Sequence, residues 1–426
     1  MNRFLSNYDI AVIGAGAAGS MAAITAALSN KKIVLIERNS SIGHKILLSG
    51  KKRCNITNSA DIESFIEVFG KQGSFLRQSF NAFFSDDLIS FFKERGLEMK
   101  VERQGRVFPV TDKSSSVVGV LERIIAGSKN IEALFNIAVK EIVKTDDGFN
   151  LNLSNKDTIN VKRLIITTGG ASYKMTGSLG DGFNFAEILG HTIMPLSPGL
   201  VPLKTKEVWV KSLQGLALKN VRITFKANKN NNVKKCQKIV SSIGELMFTH
   251  FGVSGPLILD LSAEVVFMLK ISGSVSMSID FKPGLSNEQL KKRILKEITL
   301  KSKMKFKNII RTLLPKRMAI VFVELSGVFG DKKVNSLSKI DINKIVELLK
   351  CLSLTITGSL AIDSAMVTNG GVFTKEIDPR TMESKIVKGL YFAGEIIDGC
   401  AKSGGYNLQQ AFSTGYLAGD SVIKDG

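Results

Sequence analysis

The feature that most constrains this chain is a glycine-rich run near its start, Gly14-Ala15-Gly16-Ala17-Ala18-Gly19. The apolar residues Tyr8 to Ile13 predict a buried strand before the run, and the alanine-rich residues up to Leu28 predict a helix after it. A second apolar stretch, Ile33 to Glu37, predicts a strand that ends in an acid 23 positions after Gly14. This order of elements predicts a βαβ unit that binds a dinucleotide.

Each part of the predicted unit has a task in nucleotide binding. Gly14 permits the tight turn, Gly16 lets the backbone approach a pyrophosphate, and Gly19 lets the helix pack closely on the strand. The helix amino terminus offers N–H groups to phosphate, and Glu37 can accept hydrogen bonds from the ribose hydroxyls. The surrounding strands and helix favour this interpretation over a glycine-rich packing motif without nucleotide.

The carboxyl-terminal part of the chain distinguishes FAD from NAD. A predicted strand there ends in Gly394-Glu395, and an amphipathic helix follows from about Asn407 to Ile423. FAD is long enough to need such a strand in the first sheet, whereas a nicotinamide cofactor is not. Glu395 can bind the ribityl chain, and the helix start at Gly405-Tyr406-Asn407-Leu408 can face the flavin N1/C2=O region. Thr168-Gly169 ends another predicted strand and suits close passage of the backbone beside FAD.

The hydrophobic patterns predict a discontinuous α/β fold. Residues 1–195 and 364–426 form one Rossmann-like domain, because the amino-terminal parallel sheet is the one that can accept the last strand. Short alternating runs predict a small inserted β domain at 196–285 and 351–363, and helical periodicity predicts a helical insert at 286–350. A phenylalanine stripe from Phe80 to Phe92 at roughly helical spacing predicts core packing.

Six blocks carry a resemblance to a known family: Ser49 to Asn58, Gly177 to Gly182, Phe248 to Pro256, Thr368 to Val372, Thr381 to Lys385 and Gly404 to Gln409. Through them nearly the whole chain resembles the BaiN/YhiN-like flavoproteins, also called the aminoacetone oxidase family of FAD-binding enzymes. The resemblance implies an oxidoreductase whose Rossmann-like FAD-binding domain, of the FAD/NAD(P)-binding superfamily, is interrupted by a β-barrel-like domain carrying the helical insert.

The resemblance also extends the set of expected FAD contacts. It adds Arg38, Lys45 and Val139 to the positions derived above, and it also includes Gly169. The chain departs from the family pattern at Lys51-Lys52, where glycine is usual, and at Cys400 to Ser403, where the family is richer in glycine. These departures affect the expected loop shape near the flavin.

Three side chains are candidates for catalysis. Arg53 and Cys54 lie in a loop expected to face the isoalloxazine ring, and Arg53 suits anchoring of a substrate carboxylate or the flavin. Cys54 could be a redox or attachment thiol, although a packing role is favoured. His250 lies in the Phe248 to Pro256 block and could donate a proton or bind substrate. No spacing predicts a metal site or a Ser-His-Asp hydrolase.

The charge of the chain leaves its partner open. The formal net charge is +20, and basic segments such as Lys226 to Lys238 and Lys291 to Lys307 could contact a polyanion. Few aromatic residues accompany these lysines, and a general lysine and asparagine bias explains them equally well. A small-molecule substrate is therefore favoured over a nucleic acid, which the charge does not exclude.

These patterns predict an FAD-dependent oxidoreductase that passes hydride between flavin N5 and a small organic substrate or transiently bound NAD(P)H. A single dinucleotide fingerprint leaves no second domain for resident NAD(P)H. The alternatives are an FAD-dependent RNA-modifying enzyme and a non-enzymatic flavin-binding protein. Four scattered cysteines argue against disulfides and indicate a reducing cytoplasm. We expect no membrane span, and a monomer or homodimer.

Overall fold

A computed structural model describes residues 4–227 and 238–424. Cys236 and most of the basic segment Lys226 to Lys238 lie outside the described residues. The strands are β1 (Phe4–Ile13), β2 (Ile33–Ile36), β3 (Thr57–Asn58), β4 (Met99–Val101), β5 (Arg106–Pro109), β6 (Ile131–Leu134), β7 (Val139–Thr145), β8 (Gly148–Leu153), β9 (Thr158–Ile166), β10 (Ile193–Gly199), β11 (Leu203–Thr205), β12 (Ala217–Ala227), β13 (Lys238–Val240), β14 (Gly244–Phe248), β15 (Gly252–Ser254), β16 (Val275–Asp280), β17 (Leu352–Ser359), β18 (Val367–Val372) and β19 (Leu390–Phe392).

The α-helices are α1 (Ala17–Ala26), α2 (His44–Lys52), α3 (Ile62–Phe69), α4 (Gly73–Ala82), α5 (Ser85–Lys93), α6 (Ser114–Gly127), α7 (Asp181–Ile188), α8 (Pro256–Ser272), α9 (Asn287–Leu300), α10 (Phe306–Leu313), α11 (Lys316–Ser326), α12 (Lys339–Lys350) and α13 (Tyr406–Lys424). The chain divides into two compact units, residues 1–199 with 362–426 (unit 1) and residues 200–361 (unit 2). The three-part division predicted from the sequence is not tested by these units and stays a prediction.

Unit 1 is built on a parallel sheet with the strand order β6-β2-β1-β9-β19. Ile13 at the end of β1 pairs with Ile36 of β2 and Ile166 of β9, and Phe392 of β19 also pairs with Ile166. The last strand therefore joins the first sheet, as the sequence predicted. The carboxyl ends of β1, β2, β9 and β19 consequently meet at one edge, which is where open α/β sheets bind their ligands.

Helices α1 and α13 cover this sheet with their backbones in close contact. A Cβ atom on Gly415 would lie 2.3 Å from the carbonyl oxygen of Ala18, and one on Gly419 would lie 2.5 Å from that of Ala22. All ten residues of α1 are buried. Glycine at these two positions of α13 thus allows the two helices to touch, whereas any larger side chain would push them apart. This contact holds the last segment of the chain against the first helix.

The phenylalanine stripe forms two helices, α4 and α5, instead of one continuous amphipathic stretch. The chain is extended at Phe84, whose N–H donates to the Asp87 carboxylate at 2.7 Å and so caps the start of α5. Phe80 and Phe92 are fully buried, which confirms their predicted role in the core.

In unit 2 the antiparallel strand pairings run in the order β12-β14-β15-β11-β17-β16, and β16 pairs again with β12. The pairings therefore form a closed ring of six strands. One hydrophobic core contains side chains from these strands, such as Phe225, and from the following helices, such as Phe306 and Phe322.

The prediction of short strands alone within residues 196–285 is wrong, because this segment includes the seventeen-residue helix α8. Pro256 lies in its first turn and Gly273 follows its last residue, a pattern typical of helix ends that the Val and Ile content obscured. Among the described residues, no helix combines the length and the hydropathy that crossing a bilayer requires.

Candidate functional site

The three glycines of the loop after β1 differ in the space available for a side chain. Gly14 has φ +97°, and a Cβ there would lie 2.7 Å from the carbonyl oxygen of Thr167; a Cβ on Gly19 would lie 1.8 Å from the carbonyl oxygen of Gly14. A Cβ on Gly16 would meet no atom within 4 Å. Packing within the protein therefore explains Gly14 and Gly19, whereas Gly16 borders open space at the amino terminus of α1, where a pyrophosphate would bind.

Glu37 links the end of β2 to this loop. Its carboxylate accepts hydrogen bonds from the N–H of Ala15 at 2.8 Å and from the backbone and side chain of Asn39 at 2.9 and 2.8 Å. A carboxylate has about four acceptor positions, so capacity remains for ribose hydroxyls. The N–H of Ile137 donates to the Glu37 carbonyl at 3.1 Å. This bond places the residues that lead to the buried Val139 beside the end of β2. Arg38, the next residue, forms an ion pair with Asp181 at the start of α7.

The end of β9 supplies two threonines. Thr167 Oγ1 lies 2.8 Å from the carbonyl oxygens of both Ile13 and Gly14 and holds the loop, a role that the sequence analysis missed. Thr168 Oγ1 is buried and has no hydrogen-bond partner within the described part of the chain. Gly169 follows with φ +74°. An unpaired buried hydroxyl at this edge is a polar atom that a bound cofactor could satisfy.

Glu395 and Lys45 form an ion pair that joins β19 to α2. Lys45 Nζ lies 2.5 Å from Glu395 Oε2 and 2.7 Å from Ser172 Oγ, while Glu395 Oε1 accepts from Ser172 Oγ at 2.9 Å and from Thr368 N at 2.8 Å. Burial raises the pKa of Glu395, but Lys45 and these hydrogen bonds outweigh it and leave the pKa below its usual value. The carboxylate after Gly394 is therefore charged at neutral pH.

The start of α13 is held against the loop that precedes it. A Cβ on Gly405 would lie 2.2 Å from the carbonyl oxygen of Thr57. Asn407 accepts from Ala401 N at 2.9 Å and donates to Ala401 O at 3.1 Å, so its side chain shapes the loop. The Tyr406 ring packs edge-on against Phe65, and Leu408 packs on the core. The positive end of the helix thus has a fixed place.

Arg53 is already engaged by other side chains. It donates to Asp112 at 2.9 Å and to Glu102 at 3.3 Å, and its guanidinium lies 4.2 Å above the Phe108 ring. These carboxylates raise the pKa of Arg53 further above its usual value. The contacts favour a role in holding the loop over a free anchor for substrate. Nearby, Lys51 takes the left-handed φ of +58°, which accounts for the family's glycine at this turn.

Cys54 and His250 lie in different units. Cys54 is fully buried, and burial raises the pKa of its thiol to about 12, so the reactive thiolate is absent at neutral pH. His250 belongs to unit 2, between β14 and β15, where its exposed ring touches Phe251 edge-on at 4.8 Å. Their catalytic roles remain predictions. Within the described ranges, no three His, Cys, Asp or Glu side chains come together as metal ligands.

A polar cluster missed by the sequence analysis follows Glu395 in unit 1. Cys400 Sγ lies 3.6 Å from Asn369 Oδ1, and the Asn369 amide donates to Ser197 Oγ at 3.1 Å. Asp398 accepts from Gln72 Nε2 at 2.5 Å, and burial raises its pKa. Asn369 directly follows Thr368, whose backbone binds Glu395, so the cluster lies one residue from the predicted cofactor site. The residues of this cluster are far apart in the sequence, so no local pattern indicates it.

The fold and the edge of the sheet define the class. Open space at Gly16, the acid at the end of β2, the unpaired Thr168 hydroxyl and the positive end of α13 fit FAD along one sheet edge. The protein is an FAD-dependent oxidoreductase.

Comparison with known proteins identifies the family. Residues 8–421 match the family described as HI0933-like protein Rossmann domain, and the chain belongs to it. This confirms the resemblance found in the sequence. The 3-dehydro-bile acid delta(4,6)-reductase of Clostridium scindens is 30% identical over 97% of this chain and 99% of its own. The ribosomal RNA dihydrouridine synthase of Haemophilus influenzae is 29% identical over 97% and 98%. A flavocytochrome c3 fumarate reductase shares the fold, with a TM-score of 0.53, 17% identity and coverage of 99% of this chain and 79% of its own.

Proposed function

We propose that this protein uses FAD to reduce a carbon–carbon double bond conjugated with a carbonyl group. The observation that carries the proposal is the chemistry common to two full-length relatives. A delta(4,6)-reductase of a 3-dehydro bile acid saturates ring double bonds in conjugation with a ketone, and a dihydrouridine synthase saturates the uracil bond beside the C4 carbonyl. The substrates differ completely, but the bond that is reduced is of one type.

The residues of unit 1 would hold the cofactor as follows. The start of α1 and Gly16 would receive the pyrophosphate, Glu37 the ribose, Glu395 the ribityl chain, and the start of α13 the N1/C2=O region. Bound FAD in its reduced form supplies a hydride at N5. NADH or NADPH would bind transiently to reduce it, since the sequence has one dinucleotide fingerprint.

Saturation of the double bond also requires a proton, and Cys400 is our candidate for its donor. Burial raises the pKa of this thiol to about 12, and the nearby carboxylates Glu395 and Asp398 raise it in the same direction. The thiol is therefore fully protonated at neutral pH. It is still a stronger acid than the carbon that receives the proton, so the transfer is downhill. Asn369 orients the thiol, and solvent returns the proton to the sulfur afterwards.

Two substrate classes fit this reaction. A small enone is the first and agrees with the expectation from the sequence. A uridine within RNA is the second, and the net charge of +20 favours it because RNA is a polyanion.

The test is anaerobic mixing of the purified protein with NADH and with NADPH, while the visible flavin band is followed. The reduced protein is then mixed with a 3-oxo-4-ene steroid, a uridine-containing RNA or fumarate. We expect rapid reoxidation by at least one of the first two. Reoxidation by oxygen alone, with amines or hydroxy acids as reductants, would show that the protein is an oxidase. Cys400→Ala should slow reoxidation about 100-fold or more and leave reduction by NAD(P)H unchanged; equal slowing of both steps would contradict the assigned role.

A further inference from the structure

The net positive charge of the protein is concentrated in one of its two units. Unit 2 contains 28 Lys and Arg residues against 11 Asp and Glu residues, a net charge of +17. Unit 1 contains 30 against 27, a net charge of +3. A general lysine bias would charge both units in proportion to their length, and unit 1 is the longer. The charge of unit 2 therefore requires its own explanation.

Within unit 2, the backbone brings five lysines together into one strip. The lysine strip consists of Lys303, Lys305, Lys307, Lys332 and Lys333. Lys305 and Lys333 face each other across an isolated antiparallel bridge. Phe306 N donates to the Lys332 carbonyl, and Lys307 N donates to the Gly330 carbonyl, each at 2.9 Å. The two segments are thus fixed side by side, although they lie about 25 residues apart in the sequence.

Acidic side chains neutralise only part of the strip. Asp331 pairs with both Lys305 and Lys307, at 3.1 and 2.7 Å, and Lys332 pairs with Asp341 at 2.8 Å. Lys303 and Lys333 are exposed, and the described part of the chain places no carboxylate within 4 Å of either. The strip therefore keeps an excess of cations that can bind anions from solvent.

An aromatic ring projects beside these cations. Phe329 is 74% exposed, whereas ten other phenylalanines in the described part of the chain are fully buried. Its carbonyl accepts from Lys332 N at 3.0 Å, so Phe329 begins an ordered turn that leads directly into the strip. A phenyl ring held in solvent gains nothing for folding, but it offers a flat face on which an unpaired base can stack.

We propose that the lysine strip and Phe329 form a docking surface for RNA, in which the lysines contact phosphates and Phe329 stacks on an unpaired base. This inference rests on the second substrate class above, uridine in RNA. A row of cations alone would suit any polyanion. The adjacent ring favours a strand with unpaired bases, because base stacking adds an attraction that a double helix or a simple anion does not use.

The test measures equilibrium binding of a fluorescein-labelled RNA stem-loop with uridines in its loop, by anisotropy, from about 50 to about 200 mM KCl. The first variant is Lys303→Glu/Lys333→Glu, which reverses two unpaired charges. We expect binding at low salt to weaken at least about tenfold, and the slope of log Kd against log salt to fall by about 1.4 to 1.8, because each phosphate contact contributes about 0.7 to 0.9.

Phe329→Ala is the second variant, and it separates stacking from charge. We expect it to weaken binding roughly tenfold without changing the salt slope. The matched control is Lys129→Glu/Lys388→Glu, which makes the same change in net charge at exposed positions of unit 1. Its affinity should change less than about threefold, since charges outside the docking surface act only through the screened field.

Several results would overturn the inference. Wild-type protein without salt-dependent RNA binding would do so, and so would a strip variant that binds no more weakly than the control variant. Binding to phosphatidylglycerol vesicles, without binding to the RNA, would assign the surface to lipid instead. Reoxidation of the reduced flavin by a small enone should be the same in all variants as in the wild type. If neither the enone nor the uridine-containing RNA reoxidises the reduced wild-type flavin, the proposed function is refuted instead, so the two failures are distinguishable.

Discussion

Gly16 and Gly19 lie three residues apart in one loop and helix, and the structure predicts opposite consequences for the same substitution. At Gly16 an added methyl group meets no protein atom within 4 Å, and φ is an ordinary −75°. At Gly19 the methyl would lie 1.8 Å from the Gly14 carbonyl oxygen, whereas ordinary contacts begin at 3.4 Å. Gly16→Ala therefore tests the ligand site, and Gly19→Ala tests the packing of the protein itself.

The magnitudes follow from this geometry. For Gly16→Ala without FAD, alanine is a poorer helix cap than glycine but restricts the unfolded chain, and these opposing effects leave a net change within about 1 kcal/mol. In the presence of FAD the methyl group occupies the approach to the pyrophosphate, so affinity should fall about 10- to 100-fold, or about 1.4 to 2.8 kcal/mol. Gly19→Ala must move backbone atoms by about 1.6 Å, and overpacking of this kind costs about 1 to 3 kcal/mol or more.

The assay uses apoprotein from which FAD has been removed. Urea unfolding of the apoprotein gives the stability of each variant, and titration with FAD, followed by quenching of flavin fluorescence, gives the affinity. We expect wild-type stability with weak FAD binding for Gly16→Ala, and reduced stability for Gly19→Ala. Wild-type affinity for FAD in the stable Gly16→Ala variant would refute the placement of the cofactor along this loop.

Three further substitutions or modifications test the structure. Lys45→Met should destabilise the protein by about 1 to 3 kcal/mol at pH 7, because it leaves Glu395 half-buried without its cation. Since the pKa of Glu395 is lowered in the folded state, its stabilising ionisation is lost as pH falls through that pKa; urea unfolding at about pH 4 should therefore show a smaller difference between variant and wild type. Iodoacetamide at neutral pH should label the exposed Cys351 and leave Cys54 unmodified in the folded protein, as peptide mass spectrometry would show; labelling of Cys54 would contradict its burial. Gly419→Ala should lower stability by about 1 to 3 kcal/mol in urea unfolding, because its methyl would separate α13 from α1, and an unchanged midpoint would mean that this contact is looser than described.

The sequence predicted the strand, turn and helix start around the glycine loop because these elements are local. A strand, a turn that needs positive φ at Gly14, and a helix start are each encoded in adjacent residues, and the parallel sheet brings the ends of such units to one edge. The sequence also predicted that the last strand joins the first sheet, because the backbone groups of a buried strand must form hydrogen bonds within a sheet. Helix α8 was missed because an apolar segment rich in Val and Ile fits the hydrophobic period of a helix and that of a strand equally well. Only tertiary packing decided between the two.

By itself, then, the sequence determined the FAD-binding fold and the positions along its glycine loop, because short-range patterns of polarity and glycine govern strands, turns and helix starts. The tertiary structure alone decided which side chains are free to act. Arg53 is occupied by Glu102 and Asp112, and the Cys400 thiol meets Asn369; each pair is separated by 31 to 59 positions. No local pattern specifies such pairs, since their contact depends on how whole elements pack, and packing also determines the burial that keeps both thiols protonated.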